Sequence, residues 1–204
     1  MTIHETIIVR PLVRWLALMF FKLTGWTTEG HQPDLRRYVI IAAPHTSNWD
    51  FVYTLCLAFI YRFNPVIMMK DTWFRWPLGS VFRWLGVMPI DRARTNNVVS
   101  QSIARFSRCD RLALVVPPSG TRKRVLYWKT GFYHIANGAG VPIVLGFLDY
   151  RRKVGGFGPI VRPTGDIDAD MAVIRNFYHD ISGKYPLQES RQRIASSVLP
   201  PAAG

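Results

Sequence analysis

Short apolar runs alternate with amphipathic stretches along most of the chain. Runs rich in β-branched residues predict buried strands at 36–43, 66–70, 87–90, 112–116 and 143–148, with a further extended piece at 159–161. The patterns between them predict helices from about Trp49, at 96–107, at 132–137 and at 169–182, where Gly183 gives a stop. Strands that alternate with helices in this way predict an α/β fold, with a central mixed, mostly parallel sheet flanked by helices.

The N-terminal region, 1–30, carries a different pattern. Segment 7–23 reads IIVRPLVRWLALMFFKL, and its longest uncharged run has 7 residues, far fewer than the roughly 20 that cross a bilayer. A secretory signal places its charges first, whereas the cations here are spread out: Arg10, Arg14 and Lys22. On a helix they share one broad face, opposite Leu16, Phe20 and Leu23. We therefore predict an N-terminal amphipathic helix lying on a membrane surface, the alternative being an ordinary helix packed on the core.

Composition narrows the class of protein and of partner. A chain of 204 residues with 49% hydrophobic and 19% charged residues is a folded chain, long enough for one domain but not for two. We place this domain at 31–195, followed by a disordered Pro/Ala/Ser-rich tail at 196–204. The net charge of +13 and the 7 Trp indicate an anionic partner: nucleic acid, a lipid surface or an acidic carrier. Two Cys are too few for a disulfide framework, which favours a reducing compartment.

One histidine and one aspartate are placed to work together. His45 lies in the polar loop PHTSN after a predicted strand, and Asp50 lies at the start of the next helix. On one straight helix, residues five apart are separated by about 140°, so the two side chains meet only if this loop turns the chain. A carboxylate on one imidazole nitrogen fixes the tautomer and leaves the other nitrogen free to accept a proton. The pair thus predicts a general base with its orienting group.

A basic loop follows the predicted strand at 112–116. It carries Ser119, Gly120, Thr121 and Arg122, and its backbone N–H and guanidinium groups suit an anion such as phosphate; the alternative is a solvated basic turn. Arg92 follows another predicted strand, at 87–90. Because loops at one edge of a parallel sheet gather into one site, we expect these side chains to share a cleft with His45.

Together, the motifs PHTSNWD, GVMPIDR, PSGTR and VPIVL, in this order over about 40–146, resemble the glycerolipid acyltransferase family of the 1-acylglycerol-3-phosphate acyltransferase type. The resemblance implies an α/β catalytic domain with a membrane-associated helical N-terminus, and transfer of an acyl group from acyl-CoA or acyl-carrier protein to a lysophospholipid hydroxyl. It makes His45 the general base and Asp50 its partner. It also assigns the acceptor phosphate to a set of residues from two motifs: Arg92, Ser119, Gly120, Thr121 and Arg122.

Two positions depart from the family pattern. Ser119 stands where the family usually has Glu, and Pro44 where it often has Asn. The missing carboxylate leaves open which acceptor is used. We expect no cofactor and no metal, because His4, His31 and His179 have no acidic or Cys partner at ligand spacing. The expected partners are an anionic membrane surface, the lysophospholipid and the acyl donor, not nucleic acid, and the expected location is the cytoplasmic face of a membrane, as a peripheral or monotopic protein.

Other interpretations stay open at this point. The same base serves a thioester or lipid hydrolase, or acyl transfer to a non-glycerol amphiphilic alcohol. A nucleic-acid-binding protein would explain the charge but not His45 and Asp50. Trp and Arg interleave at 70–76 and 82–84, which favours contact with lipid headgroups over core packing or base stacking. Segment 150–153 (YRRK) is predicted to be a solvated turn, the alternative being contact with the acyl donor.

Overall fold

The computed structural model describes residues 9–70, 74, 78–90 and 95–189. These residues form seven strands, in chain order β1 (Thr27–Glu29), β2 (Arg37–Ala43), β3 (Pro65–Lys70), β4 (Val87–Ile90), β5 (Leu112–Val116), β6 (Ile143–Asp149) and β7 (Val154–Val161). The helices of the same residues are α1 (Val9–Thr24), α2 (Trp49–Tyr61), α3 (Leu78–Trp84), α4 (Thr95–Arg108), α5 (Gly131–Ala139) and α6 (Ile167–Tyr178), with a 3₁₀ turn at Pro186–Gln188.

All seven strands belong to one sheet in the order β1-β7-β6-β2-β5-β3-β4. Every neighbouring pair is parallel except β6 and β7, which are antiparallel. The predicted α/β fold with a mostly parallel mixed sheet and an N-terminal helix is therefore confirmed. The central strands β2, β5 and β6 are buried on both faces, which is why they read as continuous apolar runs.

Alternate side chains of the sheet enter two cores. In β2, Val39 and Ile41 face one layer, which α4, α5 and α6 cover, whereas Tyr38 and Ile40 face the layer beneath α2. The carboxyl end of β2 leads through a short loop to the amino end of α2, and His45 and Asp50 lie at this connection.

The helix α1 packs on α2, with Ala17 and Phe21 buried between them. The predicted arrangement of its faces is wrong. Arg10 and Arg14 face the protein and donate to the carbonyls of Arg62 (2.8 Å) and Ile60 (3.3 Å) at the carboxyl end of α2. The exposed face carries Lys22 but is otherwise mainly apolar. Its large hydrophobic residues are Leu12, Trp15, Leu16, Leu18, Met19 and Leu23. Phe20 points inward against α2.

Several predicted boundaries change. Helix α6 ends at Tyr178, so the predicted continuation to 182 is wrong. Strand β7 begins at Val154, five residues before the predicted extended piece, and the sequence did not predict β1 or α3. The predicted tail at 196–204, and the Trp/Arg segment at 71–73 and 75–77, lie outside the described residues. Within the described part, no helix is both long and apolar enough to cross a membrane.

Candidate active site

The loop between β2 and α2 brings His45 and Asp50 together. The imidazole Nδ1 lies 3.0 Å from Asp50 Oδ2. The same carboxylate oxygen accepts the backbone N–H groups of Thr46 (2.8 Å) and Ser47 (2.9 Å). These bonds fold the loop back over the first turn of α2, and this is why residues five apart in sequence meet. A carboxylate at this helix end also receives favourable interaction with the helix dipole.

Asp50 is enclosed, with 5% of its side chain exposed, whereas 22% of the His45 side chain is exposed. The carboxylate cannot donate to His45, so Nδ1 must be the donor and Nε2 is the nitrogen left for a substrate. The sequence prediction of a base with its orienting carboxylate is thus compatible with the geometry of the pair.

A third side chain completes the environment of Asp50. Tyr150, in the turn between β6 and β7, donates its hydroxyl to Asp50 Oδ1 at 2.7 Å. Burial, and then this hydrogen bond to Asp50, raise the pKa of Tyr150 far above its ordinary value, so the hydroxyl stays protonated. The solvated turn predicted at 150–153 is wrong for Tyr150, which is half-buried, and confirmed for Arg151, Arg152 and Lys153, which are exposed. The contact spans 100 residues of sequence, and no local pattern points to it.

The basic loop after β5 faces the same opening. Gly120, Thr121 and Arg122 line one cavity with His45. Gly120 adopts a φ of +64°, in the left-handed region that favours glycine. Ser119 is buried, and its hydroxyl donates to the Thr121 carbonyl at 2.7 Å, inside the loop. Arg92 lies outside the described residues.

Sequence reasoning missed a further cation beside this loop. Lys129 donates its backbone N–H to the Pro118 carbonyl at 2.8 Å. Its Nζ lies close to Gly120: a Cβ atom placed on that glycine would be 3.6 Å from Nζ, an ordinary van der Waals distance. Lys129 is exposed, and its ammonium group therefore lies beside Gly120 of this loop.

The cavity has a volume of about 580 Å³ and runs beneath α2. His45 and Asp50 lie at the amino end of this helix. Beyond them the walls are largely apolar, and they come from α2, the sheet and the far end of the helix: Phe51, Thr54, Leu57, Tyr61, Ile40, Ala42, Phe63 and Phe157. A polar mouth with an apolar interior is suited to an amphiphile with a long hydrocarbon chain.

The segment 183–189 joins the two polar loops, which the sequence did not indicate. Tyr185 donates its backbone N–H to Thr46 Oγ1 at 3.2 Å. With its amide nitrogen turned toward them, Gln188 donates to the carbonyls of Thr46 (3.2 Å) and Arg122 (3.1 Å). Lys184 Nζ lies 5.1 Å from the centre of the exposed Trp49 ring. These contacts tie the loop that carries His45 and Thr46 to the loop that carries Arg122.

Comparison with known proteins agrees with this geometry. The family model described as Acyltransferase matches residues 27–144, more than half of the chain. The chain belongs to the acyltransferase family. The match covers both polar motifs, and Tyr150 and Gln188 lie beyond its end.

Relatives of known name lie within the same family. The chain is 28% identical over 143 residues to the 1-acyl-sn-glycerol-3-phosphate acyltransferase of Haemophilus influenzae, covering 65% of this chain and 58% of that protein. It is 32% identical over 132 residues to the protein of the same name from Salmonella typhimurium, covering 60% of this chain and 52% of that protein. The chain thus spans a little over half the length of these relatives.

A solved structure matches the fold over most of both chains. It is the 1-acyl-sn-glycerophosphate (LPA) acyltransferase PlsC from Thermotoga maritima, with a TM-score of 0.61 and 17% identity, covering 84% of this chain and 79% of that one. At this identity the likeness concerns the arrangement of the sheet and helices.

Proposed function

We propose that the protein transfers an acyl group from a thioester, acyl-CoA or acyl-carrier protein, to the hydroxyl of a lysophospholipid such as 1-acylglycerol-3-phosphate. One observation carries the proposal. His45, the basic loop at Arg122 and a largely apolar interior all belong to a single cavity. Base, phosphate ligand and hydrocarbon site are the three groups that this reaction requires, and the names of the relatives agree with it.

In the proposed reaction His45 Nε2 removes the proton of the acceptor hydroxyl. The oxygen attacks the thioester carbonyl, an ester bond forms as the C–S bond breaks, and the imidazolium returns the proton to the departing thiolate. No acyl-enzyme is required, because the acceptor itself is the nucleophile. Asp50 holds Nδ1–H and stabilises the imidazolium, and base catalysis of this kind contributes about 10²–10⁴-fold.

The acceptor phosphate is proposed to bind the basic loop. Arg122, Thr121 and Gly120 line the cavity and provide guanidinium, hydroxyl and backbone groups. Lys129 does not line the cavity, but it adds a second cation beside Gly120. Ser119 acts differently in this proposal: because its hydroxyl is bonded to the Thr121 carbonyl, it shapes the loop. Arg92 remains a prediction from sequence for the same phosphate.

The protein is proposed to work at the cytoplasmic face of a membrane, bound peripherally. The support comes from the exposed apolar face of α1, which carries Trp15 and Leu23, and from the net charge of +13, which favours anionic lipid. Arg10 and Arg14 take no part in this contact, because both are bonded to α2.

The test is a product analysis by mass with purified protein, acyl-CoA or acyl-carrier protein donors, and a panel of lysophospholipids and long-chain alcohols. We expect phosphatidic acid from lysophosphatidic acid, and loss of at least a hundredfold in turnover for His45→Ala. Free fatty acid formed at the same rate with and without acceptor would instead identify a hydrolase. Near-normal turnover of His45→Ala would refute the base assignment.

Arg122→Ala separates the phosphate site from the base. We expect a higher KM for lysophosphatidic acid, with a smaller change for an uncharged long-chain alcohol, because only the first acceptor carries a phosphate. Arg124→Ala, an exposed arginine that does not line the cavity, is the matched control. Equal effects on the two acceptors would contradict the phosphate role of Arg122.

A further inference from the structure

We propose that Tyr150 is a positioning residue that sets how strongly Asp50 attracts the proton of His45. The proposal rests on the function proposed above for the His45 pair. Its basis is the division of the Asp50 carboxylate between its two oxygens. Oδ2 accepts from His45 Nδ1, Thr46 N and Ser47 N, while Oδ1 accepts from the Tyr150 hydroxyl at 2.7 Å.

The turn that carries Tyr150 is held firmly. Asp149 is fully buried, and its Oδ1 accepts the backbone N–H groups of Arg151 (3.1 Å) and Arg152 (3.3 Å). Its Oδ2 accepts Arg152 Nε at 2.7 Å. The backbone N–H of Tyr150 itself donates to the Ser182 carbonyl at 2.8 Å. The main chain on both sides of Tyr150 is thus fixed by groups outside the active site.

The ring of Tyr150 is held as firmly as its backbone. It meets Trp26 edge-on, with ring centres 4.9 Å apart, and Tyr53 edge-on at 5.8 Å. Trp26 and Tyr53 stack on each other at 4.1 Å. These contacts orient the phenol, whose hydroxyl reaches Asp50 Oδ1. Edge-to-face contacts of this kind add to the burial of the rings.

The chemical consequence follows from charge distribution. A hydrogen bond donated to Oδ1 draws negative charge away from Oδ2, and this weakens the attraction of Asp50 for an imidazolium on His45. Without the hydroxyl, Asp50 holds the imidazolium more tightly and His45 stays protonated to a higher pH.

Other charged or titratable groups face this pair from the neighbouring elements. Tyr53 of α2 and Tyr185 of the segment 183–189 lie near Tyr150, and Arg122 lines the same cavity as His45. All three remain in place when the Tyr150 hydroxyl alone is removed. A change in titration on its removal is therefore assigned to the hydroxyl.

The experiment compares wild-type protein with Tyr150→Phe, using kcat/KM against pH and the NMR titration of the His45 imidazole. In Tyr150→Phe we expect the midpoint of the acidic limb, and that of the imidazole titration, to rise by about half a pH unit. At a pH below the midpoint, kcat/KM of the variant should then be about threefold lower than that of the wild type. 3-Fluorotyrosine at position 150 keeps the ring and is a stronger donor, so it should move both midpoints in the opposite direction.

The matched control is Tyr133→Phe. Tyr133 also donates to a buried carboxylate, Asp170 Oδ2 at 2.8 Å, but it lies on α5 away from the cavity. The Tyr133→Phe substitution should leave the midpoints of the kcat/KM profile and of the imidazole titration unchanged. Superimposable imidazole titrations of wild type, Tyr150→Phe and the fluorotyrosine protein would overturn the proposal, as would an equal fall in kcat at every pH. The NMR titration does not require acyl transfer, so its result stands even if the proposed activity is absent.

Discussion

Thr54→Phe should convert the protein into one that rejects long acyl chains. Thr54 lies one turn beyond Asp50 on the wall of α2 that faces the cavity, and Tyr61 lies at the far end of that wall. At a rise of 1.5 Å per residue, the eleven steps from Asp50 to Tyr61 span about 16 Å, and Thr54 stands about 6 Å along this length. A phenyl ring there narrows the cavity before its inner end.

The magnitude follows from the chain length that is excluded. Each methylene that is no longer buried costs about 0.8 kcal/mol, so excluding about four of them costs about 3 kcal/mol. This corresponds to a loss of more than a hundredfold in kcat/KM, since about 1.4 kcal/mol is tenfold. A short acyl chain does not reach the blocked region and should lose little.

The assay measures kcat/KM with butanoyl-CoA and with palmitoyl-CoA for the wild type, Thr54→Phe and a control. Val52→Phe is the control, because Val52 is on the same helix but on its exposed side and does not line the cavity. The ratio of the two donors should change only in Thr54→Phe. An equal loss with both donors, or an unchanged ratio between them, would refute the idea that the apolar interior holds the hydrocarbon chain of the donor.

Three further predictions concern stability, thiol chemistry and the membrane. Burial raises the pKa of Asp149, but hydrogen bonds, above all from Arg152, outweigh it and leave this pKa below its ordinary value. Its ionised form therefore stabilises the fold above about pH 4, and this contribution is lost as the pH falls further. Asp149→Asn should lower the free energy of unfolding at neutral pH by about 1–2 kcal/mol, a modest loss because Arg152 is half exposed to solvent. The free energy from urea unfolding should also depend less on pH below 5 in this variant, and an unchanged free energy of unfolding would count against the prediction. Burial raises the pKa of Cys56 to about 11, so in a Cys109→Ser protein Cys56 should react with a disulfide reagent at pH 8 far more slowly than after unfolding, and an equal rate would contradict this. Trp15→Asp should weaken co-sedimentation with anionic vesicles severalfold without changing the circular dichroism spectrum, and undiminished binding would exclude the exposed face of α1 as the contact.

The central strands could be predicted from sequence, because a strand buried on both faces is apolar at every position. β5 has the predicted bounds, and β2 and β6 differ from prediction by one residue at one end. The start of β7 was not predicted, because glycines interrupt its sequence, VGGFGPIV, and glycine is unusual inside a strand. Gly156 has no room for a side chain, because the backbone of Glu29 in β1 lies against it. The three residues of β1 are all exposed, and they form a strand only because they pair with β7.

The active site divides in the same way. His45, Asp50 and the loop at Arg122 are recognisable because each motif is short and continuous in sequence. Tyr150, Lys129 and Gln188 contact these motifs only through the fold, so composition and spacing do not reveal them. The faces of α1 were assigned wrongly because an arginine can serve a helix end as well as a lipid headgroup, and the two uses look alike in a helical pattern.

The two arginines of α1 also change what that helix is. Arg10 and Arg14 hold the carbonyls of Arg62 and Ile60, at the end of the helix whose other end carries Asp50. The helix whose exposed face is proposed to meet lipid is therefore bonded to the helix that lines the cavity. Removing α1 should leave the carbonyls of Arg62 and Ile60 without these donors and expose Phe59, in addition to removing the proposed membrane contact. We therefore expect a form that lacks α1 to have an altered cavity wall even where the contact between His45 and Asp50 is kept.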